Sequence, residues 1–217
     1  MKTMIVSGGW LRPAFLDTYL KKEEPDFVIA ADRGMDPLYA IGRFPDLVLG
    51  DFDSTKGAAK EALAAAGVPF ETYIAEKDFT DTEAALAKAV ELGADEIVLM
   101  GATGGRLDHF MGNLYGLLIP MRAGVLCRMI DEQNEVRLYD RSFEIRREDA
   151  PRKYFSLIPM SEACVDLTIR GCKYEVEGVT LERGSGRGIS NEITEDTASV
   201  SFSEGILIVI CSDDRGE

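Results

Sequence analysis

Short apolar runs alternate with amphipathic segments through the first half of the chain, and the alternation stops near residue 125. Residues 3–7, 27–31, 47–49, 70–74 and 96–100 are apolar runs of strand length. Between them, residues 13–22, 36–41, 56–66, 80–92 and 108–121 place apolar positions at helical spacing. Pro37 falls in a first turn, and Gly67 and Gly93 follow the ends of two of these segments. Strands alternating with helices predict a mainly parallel sheet covered on both faces, a Rossmann-like α/β arrangement. Beyond residue 125 the pattern changes. Residues 125–130, 135–139, 154–158, 165–169, 173–176, 199–202 and 206–210 read as strands, and residues 165–169 are apolar at every second position. This half predicts an all-β sandwich or open barrel. The boundary is expected near Gly124, giving domains over residues 1–124 and 125–217.

Composition narrows the function classes. The net charge is −14 over 217 residues, which repels nucleic acid and also a free nucleotide. A phosphate ligand therefore needs a local remedy: a bound cation, a helix N-terminus or a well-placed arginine. The four cysteines contain no C-x-x-C pair, and there is one histidine. A zinc site and a disulfide framework are both disfavoured, and buried thiols in a reducing cytoplasm are expected. No apolar stretch reaches the roughly 18 residues of a membrane span, and the N-terminus lacks a signal-peptide pattern.

The polar residues that matter cluster after the strands. Asp51 and Asp53 stand two apart at the end of the third predicted strand. In extended backbone both point to one face and suit a hard cation such as Mg²⁺. A solvated turn, with Asp53 or Ser54 capping the next helix, is the alternative. Thr80-Asp81-Thr82-Glu83 fits a capping box. With Lys77 and Asp78 upstream, the same helix start can also serve a phosphate, and Asp81 can add a carboxylate to the metal. Gly101–Gly105 joins a strand to a helix, and Arg106 directly after it can grip a phosphate through two N–H groups. The turn lacks the dinucleotide fingerprint, and no P-loop occurs in the chain. Asp108 is expected to cap the next helix, and His109 is either structural or a ligand contact. Residues 184–191 form either a hairpin loop or a backbone-rich loop presenting Ser190 and Asn191.

Taken in order, these segments resemble the thiamine pyrophosphokinase family. The resemblance rests on Ala31-Asp32-Arg33-Gly34, Pro45-Asp46, Gly50-Asp51-Phe52-Asp53-Ser54, Lys77 through Glu83, Gly104-Gly105-Arg106-Leu107-Asp108-His109 with Asn113-Leu114, and Ser190-Asn191. It implies transfer of a pyrophosphoryl group from ATP to thiamine, giving thiamine diphosphate and AMP. It implies Mg²⁺ held by Asp51, Asp53 and Asp81. It also implies an ATP site lined by Asp32, Lys77, Asp78, Thr80, Gly104, Gly105, Arg106, Asp108 and His109. It implies a homodimer in which Ser190 and Asn191 meet thiamine from the partner subunit. Asp51, Asp53, Asp78, Asp81 and Arg106 are the expected catalytic group, and Asp78 or Asp51 can take the hydroxyl proton. Some relatives stack thiamine on a tryptophan of the β domain, whereas the one tryptophan here is Trp10, in the first half.

Two rivals are weaker. A haloacid-dehalogenase-type phosphatase uses a D-x-D nucleophile, but places it after the first strand. A non-catalytic nucleotide or thiamine sensor would be expected to lack one of the acidic groups, and all are present.

Overall fold

The computed structural model describes residues 1–51, 57–72 and 78–214. It divides into two compact units, Met1–Glu132 and Gln133–Glu217.

The first unit runs β1 (Lys2–Val6), α1 (Pro13–Glu23), β2 (Phe27–Ala31), a 3₁₀ turn (Asp32–Gly34), α2 (Met35–Ala40), β3 (Leu47–Gly50), α3 (Ala58–Ala65) and β4 (Phe70–Thr72). It continues with α4 (Asp81–Glu91), β5 (Glu96–Met100), α5 (Leu107–Gly116), α6 (Leu118–Arg122) and β6 (Leu126–Ile130). The strands pair in parallel in the order β6-β5-β1-β2-β3-β4. Each of β1, β2, β3 and β5 is buried along nearly its whole length, which is why its sequence is a continuous apolar run rather than an alternation. Met4, Val6, Val28, Ala30, Val48 and Val98 pack with Leu16 and Leu20 of α1, Leu38 of α2 and Leu63 of α3. The alternate residues Ile5, Ile29 and Leu49 are also fully buried, on the face where α4 lies. The direction of strand addition reverses between β1 and β5, and such a reversal opens a crevice at their carboxyl ends.

The second unit comprises β7 (Asn134–Tyr139), β8 (Phe143–Arg146), β9 (Tyr154–Pro159), β10 (Ala163–Arg170), β11 (Val176–Glu182), β12 (Asn191–Glu192), β13 (Thr197–Ser201) and β14 (Leu207–Ser212). They form two antiparallel sets, β12-β9-β14-β7 and β11-β10-β13-β8. Phe155, Leu157, Leu207 and Val209 of one set share an apolar core with Leu167, Ile169, Leu181 and Val200 of the other. Cys164, Cys172 and Cys211 are buried free thiols, and burial pushes those of Cys172 and Cys211 up to about 11. Cys127 is half-buried and also free. No helix among the described residues is long and apolar enough to cross a membrane.

Several details differ from the sequence expectation. The run 126–130, expected to open the β-rich half, instead pairs in parallel with β5, so the division falls at Glu132 rather than near Gly124. The single helix expected over 108–121 is two helices meeting at Leu117, with Pro120 inside the second. Strands β8 and β12 carry no signal in the sequence pattern, and the strand expected over residues 173–176 lies instead at Val176–Glu182, as β11.

An ionic cluster ties the amino ends of this sheet to α1. Arg128 donates to Glu23 at 2.7 Å and to Glu96 at 2.5 Å, and Lys2 donates to Glu23 at 3.2 Å. The Glu23 side chain is only 6% exposed. Burial pushes its carboxyl upward, but Arg128 and Lys2 outweigh burial and hold it below the usual range. Arg128→Ala leaves this buried carboxylate with Lys2 as its remaining cation of the cluster, and a loss of about 2 kcal/mol is expected in urea unfolding at neutral pH. The folded-state value lies below the unfolded one, so the contribution is full above the unfolded pKa and lost as pH falls through the folded one. The gap between wild type and variant should therefore close on acidification.

Candidate active site

The crevice at the carboxyl ends of the strands is a cavity of about 610 Å³. Each neighbouring strand delivers a piece of its wall. β1 ends in Ser7, Gly8 and Gly9; β2 ends in Asp32 and Arg33; β3 ends in Asp51; β5 ends in Gly101. The amino ends of α4 and α5 supply Thr80, Asp81 and Thr82, and Arg106, His109 and Asn113.

The floor is backbone packed on backbone. A Cβ on Gly34 would sit 1.8 Å from the Val6 carbonyl oxygen, and one on Gly101 would sit 2.5 Å from that of Ser7. The Gly9 N–H donates to the Gly101 carbonyl at 2.9 Å, and the Ser7 N–H donates to that of Met100 at 2.8 Å. Side chains absent from these positions let three strand ends meet closely. Two buried polar contacts then fix the helices to the floor. The Ser7 and Thr82 hydroxyls share a hydrogen bond of 2.6 Å, and the Asn113 amide donates to the Ala102 carbonyl at 2.9 Å.

Around this floor, charge is divided. Asp32, Asp51 and Asp81 line the cavity. Asp32 sits at φ 48, in the left-handed region that non-glycine residues seldom occupy. Such backbone persists where the surrounding structure enforces it, commonly at functional positions. Arg106, which lines the same cavity, is the N-cap residue of α5, and its side chain makes no cap bond. The first-turn N–H groups of that helix and its dipole favour an anion. Arg106 donates from Nε and Nη2 to Asp108 at 3.1 and 2.5 Å. That fork, with a further bond from the His109 N–H, draws the exposed Asp108 carboxyl down to about 2. Asp108 therefore stays ionised at any working pH and parks the guanidinium at the rim. Two of its five N–H groups are engaged with Asp108.

Thus Asp32, Asp51, Asp81, Thr80, Gly104, Gly105, Arg106 and His109, named from the sequence, come together in one cavity. Asp78 and Asp108 are exposed and do not line it. Asp53 and Lys77 lie outside the described residues. Asp108 is not the helix cap that the sequence suggested: the helix begins one residue before it, and its carboxylate serves Arg106 instead. The capping box of α4 is present, with Thr80 Oγ1 accepting from Glu83 N–H and Glu83 Oε2 accepting from Thr80 N–H. Ser7, Asn113 and Arg33 were not singled out as site residues. Arg33 and Asn113 stand inside the motifs that carry the resemblance, whereas Ser7 gave no signal, because its role depends on a contact with Thr82 far away in sequence.

In the second unit, a separate cavity of about 400 Å³ is lined by Leu157, Tyr174, Arg187, Ile189 and Asn191, among others. Asn191 is buried. Its amide donates to the Tyr174 carbonyl at 2.8 Å and its oxygen accepts from the Tyr174 N–H at 3.0 Å. This residue therefore holds Tyr174 in place, leaving that ring 58% exposed. Ser190 does not line the cavity; it is exposed and left-handed at φ 57.

Comparison with known proteins agrees with this geometry. Residues 18–127 match the family described as "Thiamin pyrophosphokinase, catalytic domain", and residues 142–207 match "Thiamin pyrophosphokinase, vitamin B1 binding domain". The chain belongs to the thiamine pyrophosphokinase family. A thiamine pyrophosphokinase of Bacillus subtilis is 35% identical over 214 residues, covering 99% of this chain and 100% of the relative. The crystal structure of thiamine pyrophosphokinase from Bacillus subtilis superposes with a TM-score of 0.87 at 33% identity, covering 99% of this chain and 100% of that one. That of thiamin pyrophosphokinase from Geobacillus thermodenitrificans gives 0.83 at 35%, covering 100% and 99%. The thiamine pyrophosphokinase catalytic match takes in Asp32, Asp51, Asp81, Arg106 and His109 but begins after the Gly8–Gly9–Trp10 turn. The chain is thus a transferase of this family.

Proposed function

We infer that the cleft binds ATP with Mg²⁺ and passes its terminal diphosphoryl group to the hydroxyl of thiamine, releasing AMP. The observation that carries this reading is the convergence of Asp32, Asp51 and Asp81 with the glycine turn, Arg106 and the α5 N-terminus in one cavity. Family membership supplies the chemistry that such a cavity suits.

Among the described residues, no three metal-ligating side chains lie close enough together to hold an ion. Asp51 and Asp81 nonetheless share the cavity, and both are hard oxygen donors of the type Mg²⁺ takes while keeping waters and phosphate oxygens. Asp51 and Asp81 would hold the ion, with Asp53 as the third ligand. When bound, Mg²⁺ neutralises polyphosphate charge and stabilises the departing oxygen. The rest falls to the protein. The α5 N-terminus and Gly101–Gly105 cradle phosphate, and Arg106 turns from Asp108 to the transferring group. The thiamine hydroxyl oxygen attacks the β-phosphorus, the bond to the α-phosphate oxygen breaks, and AMP leaves with that oxygen. Asp51 lines the cleft while Asp78 does not, so Asp51 is the better placed to accept the hydroxyl proton. Transfer of this kind depends mainly on positioning and charge stabilisation.

Thiamine is assigned to the second unit, where the exposed ring of Tyr174 supplies an aromatic face beside Asn191. Ser190 flanks this site. A homodimer completes the reading. Leu107, Met111 and Tyr115 stand four residues apart on α5 and are 78%, 42% and 53% exposed, an apolar stripe starting at the cleft rim that suits a second copy. The free thiols suit a reducing cytoplasm.

The test is product identity. With ATP, Mg²⁺ and thiamine, AMP and thiamine diphosphate should appear in equal amounts, and AMP should require thiamine. ADP with thiamine monophosphate would mean attack at the γ-phosphorus and would overturn the reading.

A further inference from the structure

Trp10 is the one tryptophan of the chain, and it is 68% exposed. Its indole offers an open aromatic face of the kind on which a base can stack. Its backbone is held firmly. Gly9 bonds to Gly101, and a Cβ on Gly104 would lie 3.0 Å from the Trp10 carbonyl and 3.2 Å from its Cβ. The ring is therefore presented from a rigid turn between the glycine-rich ends of β1 and β5.

Trp10 also stands on a boundary. On one side is the cleft with its carboxylates and Arg106. On the other is a hollow of about 490 Å³, whose walls include Trp10, Leu11, Pro13, Arg33, Asp36 and Pro37. Gly8, Gly9, Trp10 and Arg33 line both. The second hollow differs in chemistry from the first. Leu11, Pro13, Pro37 and Ala40 make it largely apolar, while Arg33 and Asp36, three residues apart, add a loose ion pair of 3.6 Å to its lining. A ligand with a charged tail and a flat, polar-edged ring matches the two spaces in sequence.

We propose that Trp10 is the stacking platform for the nucleobase of the phosphate donor, with the base in the hollow beside Arg33 and Asp36 and the phosphates in the adjoining cleft. Trp10 is thus a positioning residue for the nucleotide rather than for thiamine. The inference rests on the assignment of ATP to the cleft.

The single tryptophan makes the test direct, because emission excited beyond the tyrosine band reports from this site alone. Purified wild-type protein is titrated with ATP, with inorganic tripolyphosphate and with thiamine, each separately in the presence of Mg²⁺. ATP should quench or shift the emission, and tripolyphosphate and thiamine should not. Equal responses to ATP and tripolyphosphate would show that phosphates alone act on the signal, and a response to thiamine would give the ring to the other substrate; either overturns the platform. In steady-state assays, Trp10→Ala should raise the KM for ATP roughly tenfold and that for thiamine far less, as expected for loss of one base–aromatic stack. Trp10→Phe should recover most of the loss. Unchanged ATP KM in Trp10→Ala would also overturn the proposal. The two readings fail separately. AMP and thiamine diphosphate formed with no ATP-dependent emission change would remove the platform and leave the reaction. An ATP-specific emission change without AMP would do the reverse.

Discussion

Asp51→Asn is expected to lower turnover about a thousandfold while the protein stays folded, the scale seen when one preorganised charge-stabilising group is removed. Asparagine keeps the shape and one oxygen but removes the negative charge. Asp51 directly follows the buried strand β3 and lines the cleft, so its backbone starts from a fixed strand end. The loss should fall on kcat more than on the KM for thiamine, since the charge is needed where the phosphoryl bond breaks. The check is kcat at saturating ATP, Mg²⁺ and thiamine, with unfolding midpoints measured beside it. Near-wild-type turnover would take Asp51 out of both proposed roles, metal ligand and proton acceptor.

Gly34→Ala is expected to destabilise the protein by about 3 kcal/mol or more, or to prevent folding. The added methyl would meet the Val6 carbonyl oxygen at 1.8 Å and its carbon at 2.6 Å. Both are main-chain atoms in the middle of the sheet, so no rotamer change relieves the clash. Relief requires moving the 3₁₀ turn away from β1, which also moves Asp32 and Arg33 out of the cleft wall. Gly112→Ala is the contrasting case. Gly112 is inside helix α5 with nothing within 4 Å of an added Cβ, and a gain of up to about 1 kcal/mol is expected from helix propensity. Urea titrations of the two variants decide the matter: a midpoint for Gly34→Ala equal to wild type would mean that the floor yields more easily than its geometry allows.

Much of the first unit was legible because burial on both faces leaves a plain signature. Residues 3–7, 27–31 and 96–100 are apolar without alternation, and their polar successors necessarily fall at one end of the sheet. That is enough to gather Asp32, Asp51 and Gly101 into a single neighbourhood. Helix α4 announced its own start through Thr80 and Glu83. What failed to show has a common cause. Residues 126–130 look the same whether they pair in parallel with β5 or antiparallel with another strand, because partner identity is not written locally. Strand β8 is four residues long, Phe143–Arg146, and alternates apolar with charged positions beside other charged residues. The role of Asp108 depended on where the turn released the chain into α5, and after Gly105 at φ +100 the cap position falls on Arg106, two residues earlier than the carboxylate suggested. The Asn191 latch on Tyr174 joins residues 17 apart through side chain to main chain, which no periodicity reports.

Lys2, Glu23, Glu96 and Arg128 gather near the amino ends of the strands, whereas Asp32, Asp51 and Gly101 follow their carboxyl ends. Five extended residues separate the two sets, about 16 Å of strand. At that distance the effects of substitutions at the two ends should add rather than couple. For anyone adapting this enzyme to heat or solvent, the ionic end is where stability can be changed apart from chemistry: unfolding measurements register each substitution there, and the distant cleft should keep its rate.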